Sequence, residues 1–90
     1  MMPLAQCMLL TSDQIRAARA LLKWDQKALA QASKVSLATI KRLEPLSGPI
    51  IANAVTIDAL RRALEAAGIE FIPENGGGAG VRFHKPTASD

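Results

Sequence analysis

Three times in its first half the chain sets a helix-capping residue ahead of a short apolar pattern, which commits this region to several short helices joined by tight turns. In TSDQIRAARALL, the side chain of Thr11 or Ser12 can accept a bond from a backbone amide of the first turn. Gln14, three residues after Thr11, completes a capping-box pattern. Ile15, Ala18 and Leu22 then recur at helical spacing and predict one buried face. KWDQKALA restarts the pattern, with Asp25 as cap and Leu29 and Ala30 turned inward. A third helix is predicted after Ser36, burying Ile40 and Leu43, with Val35 just before it. Trp24 falls at the joint of the first two helices, where it supplies a large apolar plug for a core of small residues.

Beyond Glu44 the signals change. EPLSGPI holds Pro45 and Pro49 around Gly48 and predicts a loop. A fourth helix is expected from about Ala54 to Ala67, burying Ile57, Leu60, Leu64 and Ala67 and stopped by Gly68 in the left-handed conformation. GIEFI and VRFHK alternate apolar and polar residues on either side of PENGGGAG, which is turn chemistry, so a two-stranded hairpin is expected over 68–85. The triple glycine lacks the strand, loop and helix with Gly-Lys-Ser/Thr that a nucleotide cradle requires. Residues 86–90 read as a disordered tail. Residues 1–8 read as a loosely held extension or as the product of an upstream start codon, with the true start at Met8.

A chain of 90 residues has room for one core. Its 49% apolar and 21% charged residues are those of a chain that folds rather than one that stays disordered. A domain this small gains stability from a partner subunit. Cys7 is the one cysteine and His84 the one histidine, so no internal disulfide and no zinc cluster is expected, and a reducing, cytoplasmic setting fits. MMPLAQCMLL lacks a basic leader and is too short to span a bilayer. No pairing of nucleophile and base stands out, so neither an enzyme nor a cofactor is expected.

Charge is placed unevenly. Between Lys23 and Leu43 stand five cations, Lys23, Lys27, Lys34, Lys41 and Arg42, against the single acid Asp25; the rest of the chain carries six cations and seven acids. Such concentration is the footprint expected where a protein meets polyphosphate. Within the same stretch, QKALAQASKVSLATIKRLE, Ala30 at the fifth position, Val35 at the tenth, and Ile40 and Leu43 at the fifteenth and eighteenth form the packing skeleton of a helix-turn-helix. Small Ala30 lets the two helices approach, and the apolar trio seats the second across the first.

The run from Ser12 to Glu44 resembles the Cro/CI-type, λ-repressor-like (XRE family) helix-turn-helix regulators. Those sequences similarly read Gln, Leu-Ala, a turn, Val-Ser, Ile and Leu-Glu, here Gln26, Leu29-Ala30, Val35-Ser36, Ile40 and Leu43-Glu44. IRAARALLKWDQKALA joined to ALRRALEAAGIEFIPENGGGAGVRF is similar to a small subclass that ends in a strand-forming tail. The resemblance covers Leu10 to Lys85. It implies a mainly α fold, a four-to-five-helix λ-repressor-like DNA-binding domain over 9–67 with a C-terminal β-hairpin or strand, in a bacterial cytoplasm. The family places glycine at the ninth position of the motif, to take a positive φ, where this chain has Lys34. A left-handed residue with a Cβ costs about 1 kcal/mol.

By this likeness the protein is expected to be a sequence-specific regulator of transcription that binds double-stranded DNA, a dimeric repressor reading an inverted repeat through the helix after Ser36. A helix fits the ~12 Å major groove, where each base pair shows its own donor and acceptor pattern. Gln26, with Lys27, would hold backbone phosphate at the start of the first motif helix, and Lys34 would approach another. Ser36, Leu37 and Ala38 would lie closest to base edges, Leu37 and Ala38 reading thymine methyls rather than hydrogen bonds. Thr39 would contact DNA or cap its own helix. Lys41 and Arg42 are the candidates for a guanine or a flanking phosphate. Arg16 and Arg19 read as solvated or as interhelix ion-pair partners, Arg61 and Arg62 as solvated, and Glu44 as paired within the domain.

One such motif touches few base pairs, so a homodimer is expected. Either the hairpin crosses a two-fold axis with Ile69, Phe71, Val81 and Phe83 as its apolar seam, or it folds back on its own helices and the fourth helix dimerises. The alternative function is an antitoxin-like or anti-activator module that binds another protein. Single-stranded nucleic acid is disfavoured, since Trp24, Phe71 and Phe83 are too few for a stacking platform.

Overall fold

Thr11 caps the first helix, α1 (Ser12–Leu22): its hydroxyl accepts from the Gln14 amide at 3.0 Å while the Gln14 side chain accepts from the Thr11 amide at 3.0 Å. This reciprocal pair ties up two amides that a helix start would leave open. Ser12, the other expected cap, is already helical and fully buried, and its hydroxyl donates to the Leu43 carbonyl at 2.8 Å. The computed structural model describes residues 10–74 and 76–84; the extension expected over 1–8 and the tail expected over 86–90 lie outside the described residues.

Asp25 caps α2 (Gln26–Ser33), Ser36 caps α3 (Leu37–Leu43) and Asn53 caps α4 (Ala54–Ala66), each side chain accepting from the amide three residues on. The fourth helix stops one residue before the expected end, and Ala67 serves as its last half-helical residue. Gly68 follows at φ +108°, a value that suits glycine, and the chain reverses there into β1 (Ile69–Ile72). β2 (Gly80–Phe83) returns antiparallel, with Ile69 opposite Phe83 and Phe71 opposite Val81. The molecule is thus mainly helical, four helices followed by one two-stranded sheet among the described residues.

One core joins all of these elements. Ile15 and Ala18 from α1, Leu29 from α2, Ile40 and Leu43 from α3, and Leu60 and Leu64 from α4 are at most 1% exposed, and Ile69 from β1 joins them. Full burial of each large aliphatic side chain contributes about 1.5 to 3 kcal/mol. Trp24, Ala30, Val35 and Ile57 pack around this centre as half-buried neighbours.

Two connections carry contacts that no local pattern announced. The EPLSGPI segment is the expected loop, and it is tied down: Thr11 bridges Pro49, the Ser12 amide donates to Gly48 O at 3.0 Å, and the Ile50 amide donates to Leu10 O at 2.9 Å. Leu10 and Ile50 are both buried by this pairing. The end of α1 is the second case. Lys23 takes φ +59°, and its amide bonds back to Ala20 O, so a lysine occupies the left-handed position that glycine usually fills.

The hairpin folds back on its own helices. Gln14 on α1 donates through Nε2 to Gly80 O at 3.0 Å and to Ile72 O at 3.4 Å, holding the turn-proximal end of both strands. Ile69 is 2% exposed, and Phe71 and Val81 pack against the core. Of the four residues expected at a dimer seam, Ile69 is therefore enclosed within its own chain, because the alternating face that carries it is the face α4 needs to cover. Phe83, at 41% exposure, remains outside.

Candidate functional site

Between α2 and α3 lie three residues, Lys34, Val35 and Ser36, and their conformation follows from side chains nearby. The Ser33 hydroxyl donates to Leu29 O at 2.8 Å and accepts from the Val35 amide at 3.2 Å, which turns the chain out of α2. Lys34 sits at φ +65°, with its amide donating to Ala30 O at 2.9 Å. The ninth position of the motif is therefore left-handed with a lysine in place. Half-buried Val35 then enters the core rim, and Ser36 starts α3.

Ser36 Oγ accepts from the Thr39 amide at 3.1 Å and donates to Thr39 Oγ1 at 2.9 Å, which leaves the Thr39 hydroxyl proton free. Thr39 is half-buried and turned toward its own cap.

A buried carboxylate fixes this helix pair to α1. Glu44, 3% exposed at the end of α3, accepts from Arg19 Nε at one oxygen and Arg19 Nη2 at the other, both at 2.7 Å. Gln26 Nε2 adds a third bond to Oε1 at 3.0 Å. Arg19 also donates to Trp24 O at 2.9 Å, and Arg16 donates to the carbonyls of Glu44 and Leu46 while pairing with Asp13. Burial by itself raises the Glu44 pKa, but the bonds from Arg19 and Gln26 and the charges of Arg19 and Arg16 outweigh it, so the carboxyl titrates below its ordinary range. The hydrogen bond to Glu44 raises Arg19 in turn. A carboxylate only accepts, so the Gln26 amide must present its NH2 group inward, leaving one N–H and the carbonyl oxygen for anything outside.

The remaining candidate residues line the outside of the same pair. Lys27, Lys34, Ser36, Ala38, Lys41 and Arg42 are exposed; Gln26 and Leu37 are half-buried. Lys23 is exposed as well. None of the five cations from Lys23 to Arg42 has a carboxylate partner among the described residues. Elsewhere the arginines are all engaged. Arg61 holds Asp58 and Glu65, Arg62 holds Asp58, and Arg82 holds Glu70 across the hairpin. Arg62 is 76% exposed, as the solvated reading has it, while Arg61 is drawn to Asp58 and Glu65 at spacings of three and four on one helix.

Gln26 as the second side chain bonded to Glu44, beside Arg19, and Gln14 as the hairpin clamp carry no signal in the sequence. Glutamine carries no charge signal, and both partners are distant in the chain.

The chain matches no protein-family model, and no curated protein resembles it closely enough to count as a relative. No helix among the described residues is long and apolar enough to cross a membrane.

Proposed function

We propose that this protein is a sequence-specific, double-stranded DNA-binding regulator of transcription, a dimeric repressor whose α2 and α3 form a helix-turn-helix of the λ-repressor-like kind. The observation that carries this reading is the set of five exposed cations on and beside α2 and α3 with no carboxylate partner among the described residues, in a molecule whose other described arginines are all paired. An unneutralised cation cluster on two rigidly connected helices is suited to phosphate on either side of a groove. The left-handed turn at Lys34 and the fixed α1–α2–α3 junction at Glu44 support a pair of helices held in one geometry, as base reading demands. In this arrangement Gln26 and Lys27 meet backbone, Lys34 a further phosphate, and α3 lies in the major groove with Lys41 and Arg42 toward bases or the flanking strand. Because the hairpin folds back on its own helices, the second copy is proposed to pair through the fourth helix, α4. Phe83→Glu is then expected to remain a dimer in sedimentation.

Selection of bound duplexes from a randomised DNA pool tests the reading, run with the natural protein and with Lys41→Ala, Arg42→Ala at two salt concentrations. Enrichment of an inverted repeat is expected, lost in the double variant. The logarithmic salt slope should shrink by about one for each phosphate contact removed. Absence of enrichment at both salts would overturn it. That result favours the second reading, a module acting by protein binding, for which exposed Leu46, Ile51 and Val55 are the supporting surface.

A further inference from the structure

The two ends of α3 are held in different ways. Among the described residues, the polar bonds at its start are local, Ser33 to Val35 and Ser36 to Thr39. Its carbonyl end is gripped from α1, far earlier in the chain. The Ser12 hydroxyl donates to Leu43 O at 2.8 Å, and Arg16 Nη1 donates to the carbonyls of Glu44 and Leu46, the second at 2.9 Å. The other nitrogen of the same fork, Nη2, is held by the Asp13 carboxylate, whose second oxygen accepts from the Gly48 amide at 3.2 Å. Carbonyls at a helix end lack partners within the helix, so a side chain that takes them up ties that end to the element it comes from. The first turns of α1 thus fix where α3 stops and how the chain leaves it.

Of these ties, Arg16 is the one that stability demands least. Ser12 is fully buried, and Arg19 neutralises a buried carboxylate, so both belong to the core. The Arg16 side chain is 38% exposed and its carboxylate partner Asp13 56%, so removing the guanidinium leaves no buried charge behind.

We propose that Arg16 is a positioning residue for base reading: its two carbonyl bonds set the orientation of α3 against α1 and α2, and so govern discrimination between duplexes rather than attraction to phosphate. The inference rests on the DNA-binding reading above. Hydrogen bonds to base edges are steeply directional, whereas the attraction between a cation and a row of phosphates tolerates a small shift of the helix. A reoriented α3 therefore loses the chosen sequence and keeps the backbone.

The experiment titrates full-length protein against the duplex enriched in the pool selection and against a scrambled duplex of the same length, at two salt concentrations. Arg16→Met and Arg16→Lys are run beside the natural protein, at a temperature where urea titration shows each folded; if Arg16→Met does not fold, Arg16→Lys carries the comparison. Arg16→Met is expected to bind the enriched duplex about ten-fold more weakly, the worth of one base contact, with the scrambled duplex and the logarithmic salt slope unchanged. Arg16→Lys, which can reach a carbonyl but lacks the fork, should fall between the two. An equal loss on both duplexes assigns Arg16 to stability alone and overturns the inference, as does no loss on either. A salt slope smaller by about one makes Arg16 a phosphate contact and overturns it too. In each of these outcomes an enriched duplex exists and the regulator reading stands; failure to enrich any duplex overturns both.

Discussion

The described cations of this molecule fall into two groups, and the groups occupy different regions. Arg16 and Arg19 on α1, Arg61 and Arg62 on α4, and Arg82 on β2 each face a carboxylate, and these contacts tie helix to helix, turn to turn or strand to strand. Lys23, Lys27, Lys34, Lys41 and Arg42, on and beside α2 and α3, face none among the described residues. The first group contributes to holding the fold. The second forms no ion pair among the described residues; Lys23 and Lys34 stand in left-handed backbone as the C-terminal caps of α1 and α2, and Lys41 and Arg42 lie in the last turn of α3, where cations favour the helix end. Under the proposed function the same unpaired cations would meet phosphate.

The contrast breaks most sharply at Arg19. Arg19→Ala would leave the Glu44 carboxylate buried without its cation, and removal of one partner from a buried pair costs about 3 to 5 kcal/mol. Urea titration should show that loss, and Arg19→Met with Glu44→Leu should recover most of it. The pair also sets an acid limit. Because the folded Glu44 pKa lies below the unfolded value of about 4.3, its stabilisation is complete above that pH and is lost as pH falls through the folded value. The Met/Leu variant should lack this part of the acid transition.

Gln14→Ala probes a neutral tie of the same structural kind. It removes one half of the capping box and the clamp on Gly80 and Ile72, with an expected cost of about 1 to 2 kcal/mol. Hydrogen exchange should locate the loosening in the hairpin as well as at the start of α1.

Lys34→Gly tests the other group. Relief of the positive φ should stabilise the fold by about 1 kcal/mol, seen as a raised melting temperature, while affinity for the selected duplex falls. A variant that melts later and binds as well as before would remove Lys34 from the proposed interface. The smallest expected change in stability belongs to Lys41→Ala with Arg42→Ala, within about 0.5 kcal/mol by urea titration, since exposed and unpaired side chains are being shortened. A loss above about 1 kcal/mol would place these residues with the structural cations and weaken the contrast.

Much of the helical frame was legible in the sequence because its signals are local. A cap acts on an amide three residues away, so Thr11, Asp25 and Ser36 marked three helix starts, and the recurrence of Leu60 and Leu64 marked the inner face of α4. Gly68 and the alternating residues on either side of the glycine run likewise announced the reversal and the hairpin. For the candidate site, the crowding of cations between Lys23 and Arg42 was visible in composition alone.

The tertiary structure decided which charges stay free. Arg16 and Lys41 are each a cation on a short helix; Asp13 stands one turn before Arg16, but only the fold brings the carbonyls of Glu44 and Leu46 to the first and none, among the described residues, to the second. It also decided that Ile50 pairs with Leu10, that Gln26 serves Glu44, and that the hairpin closes over its own α1 and α4, burying Ile69. The physical reason is reach: capping and periodicity act within one helical turn, whereas these contacts join residues 18 to 66 positions apart, whose meeting depends on how the helices pack.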